Sequence, residues 1–385
     1  MRRVVVTGLG AISGFGEGVG PLWEALLAGR SAIRAAEDAR FGSAFLARVP
    51  NVPGDLRGET GERAHLLALA ASGEALEGSA LPPRTALVVG TTLGGNRAYE
   101  EWLAGPREAP PLQHGAGSPA TFLARRLGFR GTVETVSVAC ASGTAAVGRA
   151  WDLIATGEVE AALAGGVDAL SPFVVSGFGS LRALSPGPAR PFDVRRSGLS
   201  LGEGAAFLLL ESAEGAARAG RAPLAAIAGY GSASDAFHLT RPDPEGGGLL
   251  RAMSAAVSSA GLAGNGERDI AFVNAHGTGT VFNDAMEARA FARFFGTVSA
   301  VPPVWGVKGA LGHTLGAAGA FEALVSVLAL REGRIPPTAG LEEPDPAFAL
   351  DVVRGEPRRT SSGRFALSTS AAFGGTNAVL VVERA

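Results

Sequence analysis

The chain has 385 residues, 46% hydrophobic, 18% charged and 6% aromatic, with a formal net charge of −2. This balance describes a tightly packed soluble protein, excludes disorder, and leaves no overall basic field for nucleic acid. Its 34 basic residues include a single lysine, Lys308, and its only cysteine is Cys140, which excludes an internal disulfide and any multi-cysteine zinc or iron–sulfur site.

The amino terminus, MRRVVVTGLGAISGFG, turns glycine-rich too early for a secretory core, and the apolar run 321–330 carries Glu322, so no membrane span is expected. The expected location is the cytoplasm. Continuous apolar or β-branched runs predict strands at 3–7, 86–90, 132–138, 160–164, 205–210, 225–230, 270–274, 365–369 and 378–382. Helical periodicity falls at 21–28, 64–76, 143–155, 249–260, 285–294 and 316–331. The class is α/β, with helices layered on buried sheet.

Two glycine-rich segments near the start invite a nucleotide reading and fail it. GLGAISG at 8–14 has the wrong glycine spacing for a dinucleotide site, and GTTLGG at 90–95 lacks the Lys-Ser/Thr of a phosphate loop.

Cys140 follows a predicted strand and precedes a helix, among the small residues Ala139, Ala141, Ser142 and Gly143. A sulfur near a helix amino terminus is expected to have a lowered thiol pKa, and small neighbours leave room for a substrate to reach it. His276, in NAHGTGT, stands where strand 270–274 delivers its last side chains into a loop, and His313, in KGALGH, stands just before a small-residue helix. His65 and His114 read as solvated bystanders, and His238 receives no role. Lys308 shares the loop of His313. A compact ammonium is not replaceable by a guanidinium, so this one lysine is expected to be buried or functional, with Glu322 as its carboxylate partner. Near the end, FGGTN at 373–377 joins two strands and is suited to aim backbone N–H groups outward, as an oxyanion hole requires. The passages ETVSVACASGTAAVGRAWDLIATG and WGVKGALGHTLGAAGAFEALVSVLAL repeat one order of parts: strand, glycine-bearing turn with a reactive side chain, small-residue helix.

ACASG, RPFD at 190–193, GEGA at 202–205, NAHGTGT, VKGALGH and FGGTN occur in that order over nearly the whole chain. Together they resemble the β-ketoacyl-acyl carrier protein synthases, the ketosynthases of the thiolase-like condensing enzymes. The resemblance implies a thiolase-like five-layer αβαβα fold of two duplicated halves, taken as 1–235 with Cys140 and 236–385 with His276, Lys308 and His313. It implies decarboxylative Claisen condensation of malonyl-carrier protein with an acyl group held as a thioester on Cys140, in fatty-acid or polyketide biosynthesis. His276 and His313 would stabilise the enolate, and Lys308 would orient the histidine region through Glu322. Phe373 would be gate and oxyanion-hole backbone, and Thr278, Thr280 and Gly374 would contact substrate.

No bound cofactor or metal is implied; the phosphopantetheine arm of an acyl carrier protein would deliver acyl and malonyl thioesters. The expected assembly is a homodimer, or a heterodimer with a related subunit. Arg63, Arg125 and Arg126 are candidates to meet an acidic carrier. The alternative function is a non-catalytic partner subunit of the chain-length-factor kind. A degradative thiolase would need a second reactive cysteine, which the chain lacks.

Overall fold

The structure, a computed structural model, describes residues 1–52, 62–105, 114–264 and 269–385. Among the described residues one sheet has eleven strands, of which Gly16–Glu17 pairs only beside β1 and ten form its continuous path: β1 (Val4–Ser13), β2 (Ala86–Gly90), β3 (Val133–Val136), β4 (Ala161–Asp168), β5 (Gly204–Ser212), β6 (Ala225–Ser234), β7 (Ile270–Asn274), β8 (Val304–Trp305), β9 (Phe365–Ala371) and β10 (Thr376–Arg384). Their order across it is β3-β2-β4-β5-β1-β6-β10-β9-β7-β8.

Read outward from the β1–β6 junction, the two arms repeat each other. One runs β1, β5, β4, β2, β3, and the other β6, β10, β9, β7, β8. In both, the first two pairings are antiparallel and the last two parallel. Each strand of the second arm thus stands five places later in the chain than its counterpart in the first. β3 and β8 correspond, and Cys140 follows the one as Lys308 and His313 follow the other. The repeat suspected from two short passages is a repeat of the whole strand topology.

Helices make the remaining layers. α1 (Arg63–Ala75) and α2 (Ser118–Leu127) cover the outer face of the first arm, burying Leu67, Ala71 and Leu123 against Leu87, Val89 and Phe207. Between the arms lie α3 (Ser142–Ala155) and α7 (Ala318–Glu332), whose side chains share one core with strands of both. On the outer face of the second arm α5 (Gly247–Ser259) and α6 (Val281–Phe294) pack Leu249, Met253 and Phe291 against Val273, Leu367 and Val381. A short helix, α4 (Pro172–Ser180), leads from β4 toward the site. The result is the thiolase-like five-layer αβαβα arrangement.

Sequence explains why α3 and α7 occupy the middle. From Ala318 to Leu330 every residue of α7 is buried, which suits a helix without a polar face. Small residues let the two helices touch: a Cβ on Gly143 would lie 2.6 Å from the Ala320 nitrogen, and one on Gly319 would lie 2.0 Å from Thr144 Oγ1. His65, expected on the surface, is fully buried instead. α1 is enclosed between β1, β5 and α2, and the ring stacks on Phe122 at 4.7 Å with Nε2 3.1 Å from Ser118 Oγ. Burial lowers its pKa to about 4.

Candidate active site

A cavity of about 370 Å³ opens where the second-arm loops meet the turn after β3, and Cys140, His276, His313 and Phe373 line its inner end. The Cys140 turn is made by a backbone kink. Ala139 has φ +49°, and Ser142 Oγ donates to the Ala139 carbonyl at 2.6 Å while accepting the Val138 N–H at 2.9 Å. A non-glycine residue held at positive φ is strained backbone that its surroundings must fix, and the serine supplies that strap.

The sulfur does not have the lowered pKa expected beside a helix terminus. Cys140 is 6% exposed, and burial pushes its thiol up to about 12, outweighing the attraction of Lys308. Withdrawal of the thiolate from water exceeds the helix-end effect, so the resting group is a neutral thiol. The backbone N–H of Phe373 donates to it. The Phe373 ring stacks on Phe178 of α4 at 5.6 Å, beside the sulfur.

His276 and His313 meet edge to face with ring centroids 5.2 Å apart. Lys308 Nζ lies 3.1 Å from His276 Nδ1, and an ammonium can only donate, so the ring's own proton is assigned to Nε2. The Leu315 N–H donates to His313 Nδ1 at 3.2 Å, which gives that ring the same tautomer. Burial, then Lys308, holds both imidazoles well below their usual pKa. Two neutral rings therefore keep Nε2–H donors free for the cavity.

Lys308 is 1% exposed and donates to the His276 carbonyl at 2.6 Å as well as to Glu322 Oε1. Burial raises the Glu322 carboxyl to about 6, with Lys308 and Ser370 opposing the rise. Ser370 Oγ donates to Glu322 Oε2 at 3.1 Å and lies 2.8 Å from Thr144 Oγ1 on α3. The helix that follows Cys140 is thereby tied to the lysine that holds His276.

Several carboxylates that sequence reasoning missed hold these loops. Glu287 of α6 accepts the N–H groups of His276 and Gly277 at 2.8 and 2.7 Å. Asp284, one turn earlier, accepts those of Phe192 and Gly279. Asp168 accepts the N–H groups of Thr92, Leu93 and Gly316, joining the first-arm loop to the turn after His313. The available signal was the +8 and +11 spacing of Asp284 and Glu287 from His276, which puts both acids on one helix face beneath the histidine turn.

The outlying expected residues divide. Thr278 and Thr280 line the cavity with hydroxyls 2.9 Å apart, and Thr280 also caps α6 by accepting the Asn283 N–H. Gly374 lies outside the cavity lining, exposed, with its N–H given to the Leu239 carbonyl at 2.7 Å. Arg63 is bound to buried Glu203, Nη2 to Oε1 at 2.7 Å, and is not available to an acidic carrier. Arg125 and Arg126 are exposed in the last turn of α2. No helix among the described residues is long and apolar enough to cross a membrane.

A duplicated α/β core with a cysteine and two histidines converging from its halves defines a thiolase-like condensing enzyme. Comparison with known proteins gives the family. Residues 1–216 match the beta-ketoacyl synthase N-terminal domain and residues 224–342 the corresponding C-terminal domain. A relative named 3-oxoacyl-[acyl-carrier-protein] synthase 2, from Coxiella burnetii, is 36% identical, covering 100% of this chain and 99% of its own length. Among solved structures, the ishigamide ketosynthase/chain length factor superposes with a TM-score of 0.91 at 36% identity, covering 100% of this chain and 99% of the other. A type II polyketide acyl-carrier protein in complex with its ketosynthase bound to the hexaketide gives 0.87 at 28% identity, again over 100% and 99%. The chain belongs to the β-ketoacyl synthase family and is a condensing enzyme of the acyltransferase type.

Proposed function

We propose that this protein condenses malonyl-carrier protein with an acyl group carried on Cys140, releasing carbon dioxide and a β-ketoacyl thioester. The observation that carries the reading is the convergence, in one cavity, of the Cys140 sulfur, the Phe373 N–H aimed at it, and two imidazole rings with Nε2–H donors.

In the first half-reaction the Cys140 sulfur attacks the incoming thioester, with the backbone N–H groups of Cys140 and Phe373 receiving the oxyanion. The exchange is thiol for thiol. The proton leaving Cys140 ends on the departing pantetheine sulfur, so a neutral resting thiol is compatible with the step. In the second, the malonyl carboxylate leaves as carbon dioxide and its electron pair forms an enolate. His276 and His313 donate Nε2–H bonds to the enolate oxygen, and neutral buried donors do this without solvent reorganisation. The enolate carbon attacks the acyl-enzyme carbonyl, the carbon–sulfur bond to Cys140 breaks, and one proton from solvent restores the thiol. Lys308 and Glu322 position His276, Thr278 and Thr280 receive the amides of the arm, and the Phe373 ring gates the sulfur.

The phosphopantetheine arm of an acyl carrier protein delivers both substrates in this reading, in the cytoplasm, for fatty-acid or polyketide synthesis. Assembly as a homodimer, or as a heterodimer with a related subunit, is supported by β3. It ends the sheet with one side of its ladder unpaired among the described residues and Val133 40% exposed. The repeated strand order favours two halves that divide just before β6 (Ala225–Ser234), so that this strand counts with the second half and not with 1–235. A non-catalytic chain-length-factor-like subunit would have no use for a buried lysine holding a histidine tautomer, and the catalytic reading is preferred.

Replacing Cys140 with Gln tests the division of labour. Malonyl decarboxylation by Cys140→Gln should persist while condensation is abolished. Loss of both reactions in a folded variant would mean that the histidine roles are wrong.

A further inference from the structure

The outer part of the same cavity carries two arginines that the mechanism does not use. Arg182 and Arg241 both line it, both are exposed, and neither forms an ion pair among the described residues. Arg182 is held at φ +55° just beyond α4, with its N–H on the Gly179 carbonyl at 2.9 Å. A non-glycine residue kept in the left-handed region is uncommon and clusters at functional sites. Arg241 lies over the Phe282 ring, 5.2 Å from its centroid, and its N–H points to His238 Nδ1 at 3.3 Å. That contact and the Thr240 N–H at 3.1 Å leave the ring's proton on Nε2, a third donor on the cavity wall.

The opposing charge is small. Asp235 is the one carboxylate lining the cavity among the described residues. Its oxygens already accept from Asn377 Nδ2 at 2.8 Å and the Asp243 N–H at 3.0 Å. In a chain of net charge −2, the mouth of the catalytic cavity is therefore locally cationic. Two guanidiniums with unspent donors match phosphate oxygens in charge and geometry.

We propose that Arg182 and Arg241 form an anion subsite for the phosphodiester of the phosphopantetheine arm, holding it at the mouth while its thioester reaches Cys140. This rests on the ketosynthase reading and adds to it a residue-level anchor for the carrier. A free coenzyme A thioester presents the same phosphopantetheine chemistry, so the test separates the two sources.

Decarboxylation kcat/KM would be measured with malonyl-pantetheine, malonyl-4′-phosphopantetheine, malonyl-coenzyme A and malonyl-carrier protein, for wild type and for Arg182→Gln/Arg241→Gln. The quantity read is each protein's preference for phosphopantetheine over pantetheine. Wild type should prefer the phosphate-bearing substrate by about tenfold, chiefly through KM, with the preference shrinking as salt rises. The double variant should bring that ratio close to one and lose a similar factor with the carrier protein. No wild-type preference, or an undiminished one in the variant, overturns the subsite. A loss seen with coenzyme A alone assigns the arginines to the nucleotide phosphates and overturns it too. Absence of turnover with every thioester overturns the ketosynthase reading itself, and the subsite with it.

Discussion

Lys308 Nζ lies 3.1 Å from His276 Nδ1 and 2.6 Å from the same residue's carbonyl oxygen, so one buried ammonium fixes both the tautomer and the backbone of one histidine. A guanidinium spreads its donors over a rigid plane and cannot direct one nitrogen at both acceptors and Glu322. Lys308→Arg should therefore remain folded and lose about 100-fold in malonyl decarboxylation, the scale of a misplaced oxyanion donor. Lys308→Ala should also destabilise the protein, by about 3–5 kcal/mol, because Glu322 is left buried without its partner. Circular dichroism, denaturation curves and carbon dioxide release check the three statements.

The two histidines should separate the half-reactions. His276→Ala or His313→Ala removes one enolate donor and should lower decarboxylation by about 100- to 1,000-fold. Acylation of Cys140, which uses backbone N–H groups in this scheme, should fall far less in His313→Ala. Single-turnover acylation compared with carbon dioxide release measures the split.

Glu287 gives the stability a recognisable pH dependence. Burial, then Asp284, raises its carboxyl from 4.5 to about 7 in the folded protein. The unfolded chain gives up that proton near pH 4.5 and the folded one only near 7, so this contribution is complete below pH 4.5 and is lost as pH rises through 7. Between those values wild type should lose roughly 3 kcal/mol relative to Glu287→Gln, which has no such proton to release. Denaturant unfolding of both proteins from pH 4.5 to 7.5 reads the difference.

Contact between α3 and α7 leaves no room for a side chain at Gly319. A Cβ there would sit 2.0 Å from Thr144 Oγ1 and 2.5 Å from the Thr144 nitrogen. Gly319→Ala should destabilise by about 1–3 kcal/mol through overpacking. Thr144 is on the helix that follows Cys140, so the acylation rate should fall as well. Thermal unfolding and the acylation time course test this together.

Much of this was legible in the chain because the chemistry sits at strand ends. Cys140 and His276 each follow a run whose apolar character announces a buried strand, His313 stands just before a small-residue helix, and the lone Lys308 stood out by composition. What stayed hidden depends on distant segments. The Cys140 thiol is raised because the folded protein encloses it, which outweighs a helix terminus that is visible locally. His65 is buried because α2, at 118–127, closes over α1, and no strong periodic signal marked α2. The Gly374 N–H is consumed by Leu239, 135 residues earlier in the chain. Asp168 and Glu287 act by collecting backbone N–H groups from loops, a role that leaves no motif of its own.

The central claim is that Cys140 carries the acyl group. Intact-protein mass after incubation with an acyl-carrier protein tests it most directly. Wild type should gain the mass of one acyl group per chain, with Cys140→Ala gaining none. An unmodified wild type, or an equal adduct on Cys140→Ala, would contradict the account.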